Sequence, residues 1–489
     1  MKWACKISKK VVTLNLRKNK INNFKEINRP AMTICNSGIN AKCESIEIKI
    51  LVREDNKFIK LSNYLNWDEM TKIILPDLQK TTKSGNLNCG PKLQLRTHLG
   101  AYILQSMLNI TDRDTEFQVK NNAIYQIFCG SSIVENWNCP HFTKIETFRN
   151  RISPESQHQI SQLILQQAAI AGFANPKITD FDSTVQEANI SYPSDVSLMV
   201  KLAEKAKKVA NELSTFGKKF FVDLSKIKSK AKSYFFMAKN TARDKKKEAF
   251  KIIHDTVVEE ILPVIKEAYE ISQEELSKST KKVQTLFNDV CEVGLQYLID
   301  VEHFIKKNTI AAGKILSFHA KKVACIVKGK AGKPWEFGRI YQFGRIDGNF
   351  MMIGKANSVL NSDKNSMQQL IQEHQKMFGE GVLESVATDK GYYSQENISA
   401  LKDAKVTEIG IQFPENAKKN PLILDKDLKE TIYNRRAGIE PLIGHIKNDL
   451  GLEKSKMKSD ITTESAAYRC TNGFNLIQTM HYLSADQAA

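Results

Sequence analysis

Tyr433, Glu440 and Lys447 recur every seven residues in the stretch Tyr433-Asn-Arg-Arg-Ala-Gly-Ile-Glu-Pro-Leu-Ile-Gly-His-Ile-Lys447. On a helix of about 3.6 residues per turn a step of seven returns to nearly the same face, and Arg436, four before Glu440, joins it. Pro441 fits best in the first turn of a helix. A helix starting near Glu440 and running to Asp449-Leu450, with Gly451 as its stop, then leaves Tyr433 on a preceding, differently angled segment. One carboxylate, a phenol and two cations on one face suit holding a divalent metal against a phosphate backbone. On spacing alone, the same stripe is also what a solvated amphipathic face looks like.

The chain of 489 residues is long enough for two or three domains and a substantial core. Its 72 Lys and Arg against 54 Asp and Glu give a net charge of +18, which favours a polyanionic partner, either nucleic acid or an acidic membrane surface. No segment approaches the roughly 20 apolar residues of a membrane span. The basic start Met1-Lys-Trp-Ala-Cys-Lys is not followed by an apolar stretch long enough for a signal peptide. The expectation is a cytoplasmic protein whose polyanion is nucleic acid. Nine cysteines without a C-x-x-C pair read as reduced, mostly structural thiols, and the spacing of Cys129, Cys139 and His141 fits no common zinc site.

In chain order, residues 1–57 form a basic extension with weak periodicity, expected to be poorly ordered. From Asn66-Trp-Asp-Glu-Met70 onward, and again through Leu93 to Met107, apolar residues fall at helix spacing, so 58–172 reads as an all-helical domain. Lys177 to Ile190 is rich in β-branched residues and reads as a strand with Asp182 near its middle. Val196 to Ala312 is helical in pattern, and its first half is dense in lysine. Lys226, Lys228, Lys230 and Lys232 are candidates for a DNA-tracking surface, with a solvated face as the alternative. Asp347-Gly348 between two apolar runs signals a hairpin. A helix from Lys364 to Phe378 leads to an apolar strand ending at Asp389, which is how a carboxylate is set at the carboxyl edge of a sheet. A helix from Gln395 to Asp403 and a strand from Val406 to Phe413 precede the stretch of sevens. The Gly-Lys-rich loop at 329–333 lacks the pattern of a nucleotide-binding phosphate loop.

The stretch from Tyr433 to Lys447 fills every position of the Y-x2-R-x3-E-x6-K signature and so resembles the DDE transposases of bacterial insertion sequences. Asp182-Ser-Thr-Val-Gln, leading into Pro193-Ser-Asp195, is similar to the segment of that family that carries its first aspartate; Asp180 is out of register by the same comparison. Asp389-Lys-Gly-Tyr392 resembles the second-aspartate motif, and Lys328-Gly-Lys-Ala-Gly-Lys-Pro-Trp-Glu-Phe-Gly338 resembles a further family segment. The helices of 58–172, with their Tyr-x-x-Phe-Cys-Gly and Phe-Arg-x-Arg-Ile segments, look like the amino-terminal domain of the same group.

The resemblance implies an α/β protein: an RNase H-like catalytic domain at 173–489, interrupted by a helical insertion at 196–312 and preceded by a helical DNA-binding domain at 58–172. It implies a transposase that cleaves transposon ends and joins them to target DNA. Asp182, Asp389 and Glu440 would be the catalytic, metal-binding carboxylates, with Tyr433, Arg436 and Lys447 on the DNA backbone. Three hard carboxylates favour Mg2+ or Mn2+ over zinc, and two such ions support phosphoryl transfer. The partners implied are double-stranded DNA at the transposon ends and at the target, with a homodimer as the candidate assembly, no membrane, and a cytoplasmic, nucleoid-associated location. The alternative is a catalytically inactive relative that only occupies transposon ends.

Overall fold

A computed structural model describes residues 24–26, 32–33, 45–46, 51–53, 55–79, 94–130, 139–240, 243–271, 273–311, 313–330, 333–354, 363–413, 426–457 and 459–485. It divides into two units, the first comprising 1–105, 110–149 and 476–489, the second 106–109 and 150–475.

In the first unit, short strands β1 (Phe24–Glu26) and β4 (Leu51–Arg53) pair antiparallel, as do β2 (Met32–Thr33) and β3 (Ser45–Ile46). Most of the extension expected at 1–57 lies outside the described residues. Helices α1 (Lys57–Tyr64), α2 (Trp67–Leu78), α3 (Leu95–Leu108), α4 (Asp112–Asn121), α5 (Ala123–Phe128) and α6 (Phe142–Arg151) follow. Short polar side chains open them. Asn56, Asn66, Thr111 and Asn122 each accept a backbone N–H of the helix that follows, satisfying donors that have no partner within the helix. The rings of Phe58 and Trp67 meet Phe128 edge to face, and the Arg96 guanidinium stacks 3.2 Å from the Trp67 ring centre.

The second unit begins with α7 (Pro154–Ile170), whose Pro sits in the first turn after the Ser153 cap. Strand β5 (Asn175–Glu187) leads to helices α8 (Asp195–Leu213), α9 (Leu224–Asn240), α10 (Arg243–Glu270), α11 (Gln273–Ser277), α12 (Lys281–Asn288) and α13 (Leu295–Lys307). Their apolar positions recur at helix spacing: Met199, Leu202, Ala203, Ala206, Val209 and Ala210 on α8 and Ile253, Val257, Ile261 and Val264 on α10 are buried in one common core. The helical reading of the region after Val196 therefore has its physical basis in a bundle that buries its own stripe of apolar residues.

The remaining elements are β6 (Ala324–Lys330), β7 (Lys333–Asp347), β8 (Phe350–Ile353), α14 (Asp363–Phe378), β9 (Ser385–Thr388), α15 (Gln395–Asp403), β10 (Glu408–Ile411), α16 (Lys426–Ala437), α17 (Ile439–Asn448) and α18 (Asp460–Ala485). The sheet is mixed, in the order β10-β9-β5-β7-β6, with β8 also on β7. The long central pair of β5 and β7 is antiparallel, with Asp182 opposite Phe343, while β9 runs parallel to β5 and β10 parallel to β9.

The hairpin between β7 and β8 forms where the Asp-Gly dipeptide indicates: Asp347, Gly348 and Asn349 lie between the last registered pair, Ile346 with Phe350, and Gly348 and Asn349 hold φ of 93° and 64°, in the left-handed region. Two elements carry no clear period in the sequence. Strand β6 pairs with the amino half of β7, and α18 closes the outer edge of β8, where the buried Asn475 amide both accepts from and donates to the backbone of Met351, at 2.8 Å each way. This pairing removes an open strand edge.

Candidate active site

Residues two apart on a strand point to the same face, so β5 presents Asp180 and Asp182 together. The last registered pair between β5 and β9 is Phe181 with Thr388. Asp182 and Asp389 are the next residues along these neighbouring parallel strands. Asp389 turns the chain out of β9: its Oδ1 accepts the Gly391 N–H at 2.9 Å and caps the single turn Lys390–Tyr392.

Helices α16 and α17 deliver four more side chains. A break at Gly438 separates them, so the seven-residue stripe is split: Tyr433 and Arg436 lie on the first helix, Glu440 and Lys447 on the second. Pro441 sits in the first turn of α17, and Gly451, with φ of 84°, follows its end.

Arg435 and Arg436 divide the two aspartates of β5 between them. Arg435 reaches Asp180 from Nη2 at 2.8 Å and from Nε at 2.9 Å, and Arg345 lies 3.8 Å from the same carboxylate while donating to the Arg435 carbonyl at 2.7 Å. Asp180 is 1% exposed, so this is a buried anchor that fixes α16 on the sheet. Arg436 spans the other site: Nη2 donates to Oδ2 of Asp182 at 3.1 Å and Nη1 to Oε1 of Glu440 at 2.9 Å. Asp182 Oδ1 accepts the Ser183 N–H at 2.8 Å.

The charge balance is strained toward excess negative. Burial pushes the Asp182 carboxyl up to about 6; Arg436 and the Ser183 N–H oppose the shift, and the neighbouring carboxylates of Asp389 and Asp363 add to it. Asp389 is raised first by burial, then by Asp363, against hydrogen bonds from Gly391 and Tyr392 and the charge of Arg436. Asp180 is raised by burial too, opposed by Arg435 and Arg345. Glu440, by contrast, leaves 61% of its side chain exposed.

Tyr433 donates to the Ile411 carbonyl at 3.3 Å, and Lys447 to the Val185 carbonyl at 3.1 Å, so both side chains reach the sheet. In the helical bundle, Lys226 pairs with Glu260 at 3.3 Å and Lys228 with Glu204 at 2.7 Å. Lys230 and Lys232 are exposed, and among the described residues neither pairs with a carboxylate. Two members of the constellation were not picked out from the sequence. Asp363 stands at the start of α14, where an acid reads simply as complementing the helix dipole. Arg435 is masked by its neighbour in the signature, although its partner Asp180 stands two residues from Asp182.

Whether these residues fit a divalent cation turns on their donor chemistry. Asp182, Asp389 and Glu440 supply hard oxygens, and the first two are held in partly desolvated positions where neighbouring carboxylates add to the upward shift that burial causes. Among the described residues no three His, Cys, Asp or Glu side chains are placed to hold one ion together, and it is the Arg436 guanidinium that lies between Asp182 and Glu440. The hard-oxygen donor set fits a divalent cation, which Asp182, Asp389 and Glu440 would hold in competition with Arg436.

Comparison with known families agrees with this arrangement. Residues 46–151 match the family described as Transposase domain (DUF772), and residues 356–471 match the Transposase DDE domain, a DNA-processing domain that implies an RNase H-like core. The second match takes in Asp363, Asp389, Arg436 and Glu440; Asp182 lies ahead of it, beyond the helical bundle. No curated protein and no solved structure gives a match. No described helix is long and apolar enough to cross a membrane. Two transposase domains matched in this order along one chain support a DDE transposase of an insertion-sequence type.

Proposed function

We propose that the chain cleaves transposon ends and joins them to target DNA, with Asp182, Asp389 and Glu440 as the carboxylates that hold Mg2+ or Mn2+. The observation that carries this reading is the register of β5 and β9, which places Asp182 and Asp389 one step beyond the last paired residues of two adjacent parallel strands, with Arg436 tying Asp182 to Glu440. Divalent cations at such a site supply charge that activates an attacking oxygen and stabilises the leaving one. The residues of this chain bind and position. Asp182 is oriented by the Ser183 N–H and Asp389 by the Gly391 N–H, so neither carboxylate has to find its geometry when DNA arrives. Arg436, which pairs with Asp182 and Glu440, would also be a cation able to pair with a backbone phosphate; Tyr433 and Lys447 lie on the same pair of helices. The exposed Lys230 and Lys232 offer charges for duplex DNA phosphates.

One observation favours a second reading. Arg436 already pairs with both Asp182 and Glu440, as in a protein that covers transposon ends without cutting them. The discriminating experiment is incubation with DNA carrying the element's ends in Mg2+, in Mn2+ and in EDTA. Strand nicking with either metal and none in EDTA supports the enzyme; end binding without nicking under all three conditions leaves only the binder.

A further inference from the structure

We propose that Asp363 is a fourth carboxylate of this site and an oxygen ligand, beside Asp389, for its divalent cation. This inference rests on the metal-dependent reading above and goes beyond the three carboxylates that the family resemblance implies.

The positions of two side chains carry it. Asp363 is the first residue of α14, and its Oδ1 accepts from Nε2 of Gln342 at 3.1 Å. Gln342 lies on β7 directly opposite Ser183, and its Oε1 accepts from the fully buried hydroxyl of Tyr392. The chain Asp363, Gln342, Tyr392 thus ties the start of α14 to the turn that follows Asp389. With Oδ1 held this way, Oδ2 faces Gly391. A side chain starting at Gly391 would lie 3.0 Å from Oδ2 of Asp363 and 3.1 Å from Oδ1 of Asp389, so both carboxylate oxygens border the same small space, which glycine leaves open. This accounts for the glycine of the Asp389-Lys-Gly-Tyr segment more fully than the turn alone does.

Charge supplies the second line of support. Among the described residues Asp363 has no cationic partner, whereas Arg436 serves Asp182 and Glu440. Four carboxylates against one guanidinium leave a negative excess that divalent cations offset. An ion bound between Asp363 and Asp389 relieves the repulsion that Arg436 relieves on the other side.

The test is calorimetric titration of Mn2+ into the full-length protein and its Asp363→Asn variant, with Asp389→Asn as reference. Asn keeps an oxygen acceptor for Gln342, so a merely structural Asp363 would leave metal affinity unmoved. The expected result is a Kd for Mn2+ at least tenfold weaker in Asp363→Asn, with a metal-free melting temperature equal to that of the parent. Asp363→Glu, which restores the charge on a longer arm, should recover part of the affinity and serves as the second variant should Asp363→Asn fold poorly. Parental affinity in Asp363→Asn overturns the role of Asp363 and leaves the three-carboxylate site standing. Failure of the parent itself to take up Mn2+ overturns both.

Discussion

Nη2 of Arg436 lies 3.1 Å from Oδ2 of Asp182, a bond that joins residues 254 positions apart and sets a helix-borne cation against the central strand of the sheet. On the proposed function, a divalent ion entering the site would compete with this guanidinium for the same carboxylate. Arg436→Gln should therefore bind Mn2+ as tightly as the parent or more tightly, while DNA cleavage falls because a phosphate contact is gone. Calorimetry set beside cleavage rates checks both halves; weaker Mn2+ binding in the variant would mean that Arg436 organises the carboxylates and does not compete for them.

The companion pair of Arg435 and Asp180 has a different expected behaviour. Both oxygens of Asp180 are engaged in a buried position, and removing Arg435 leaves that charge with only the more distant Arg345, at a cost of about 3 kcal/mol. Arg435→Met should lower the melting temperature markedly. A variant that melts with the parent would show that α16 is held by its apolar contacts alone.

Asp182 also predicts a pH dependence of stability. Its folded-state pKa, about 6, lies above the usual aspartate value of 3.8. Between these two values the folded protein holds a proton that the unfolded chain has released, so this group favours folding at low pH and the contribution is lost as pH rises through 6. Melting temperatures of the metal-free parent and Asp182→Asn, measured from pH 4 to 7, should converge toward the acid end and separate in favour of the variant as pH rises to about 6, with a constant gap above it. Parallel curves would mean that Arg436 already neutralises the site.

The four lysines singled out in the helical bundle separate by their partners. Lys226 and Lys228 are engaged by Glu260 and Glu204, while Lys230 and Lys232 are open. Each phosphate contact contributes about −0.9 to the slope of log affinity against log salt for duplex DNA. Replacing Lys230 and Lys232 by Gln should flatten that slope more than replacing Lys226 and Lys228. Equal slopes in both double variants would assign these lysines to solvent.

How much of this was legible in the sequence follows from the kind of signal each feature leaves. Strand β5, the hairpin, α14, β9, α15 and β10 were readable because each has its own period or turn chemistry, and boundaries moved by only a few residues. Strand β6 was not, because its pairing depends on the amino half of β7, which the sequence presents as a Gly-Lys-Pro loop. Helix α18 mixes small, polar and apolar residues without a stripe because it is buried on several sides, as Tyr468, Asn472 and Asn475 show. Among the site residues, Asp182, Asp389 and Glu440 stood out through local motifs. Asp363 left no such mark, since only the folded chain brings the first residue of α14 against the turn after β9. The same holds for Asp180. Spacing alone cannot tell an anchor from a ligand two residues away on the same face.

The central claim is that Asp182 works with Asp389 and Glu440 while its neighbour Asp180 is structural. The most direct measurement is cleavage of end-bearing DNA in Mn2+ by Asp182→Asn, Asp389→Asn, Glu440→Gln and Asp180→Asn, each normalised to folded protein and accompanied by its DNA affinity. The account predicts that the first three lose cleavage and keep end binding near the parental level, because a neutral amide cannot offset a divalent charge, whereas Asp180→Asn retains cleavage per folded molecule. Metal-dependent cleavage surviving in Glu440→Gln or Asp182→Asn would contradict it.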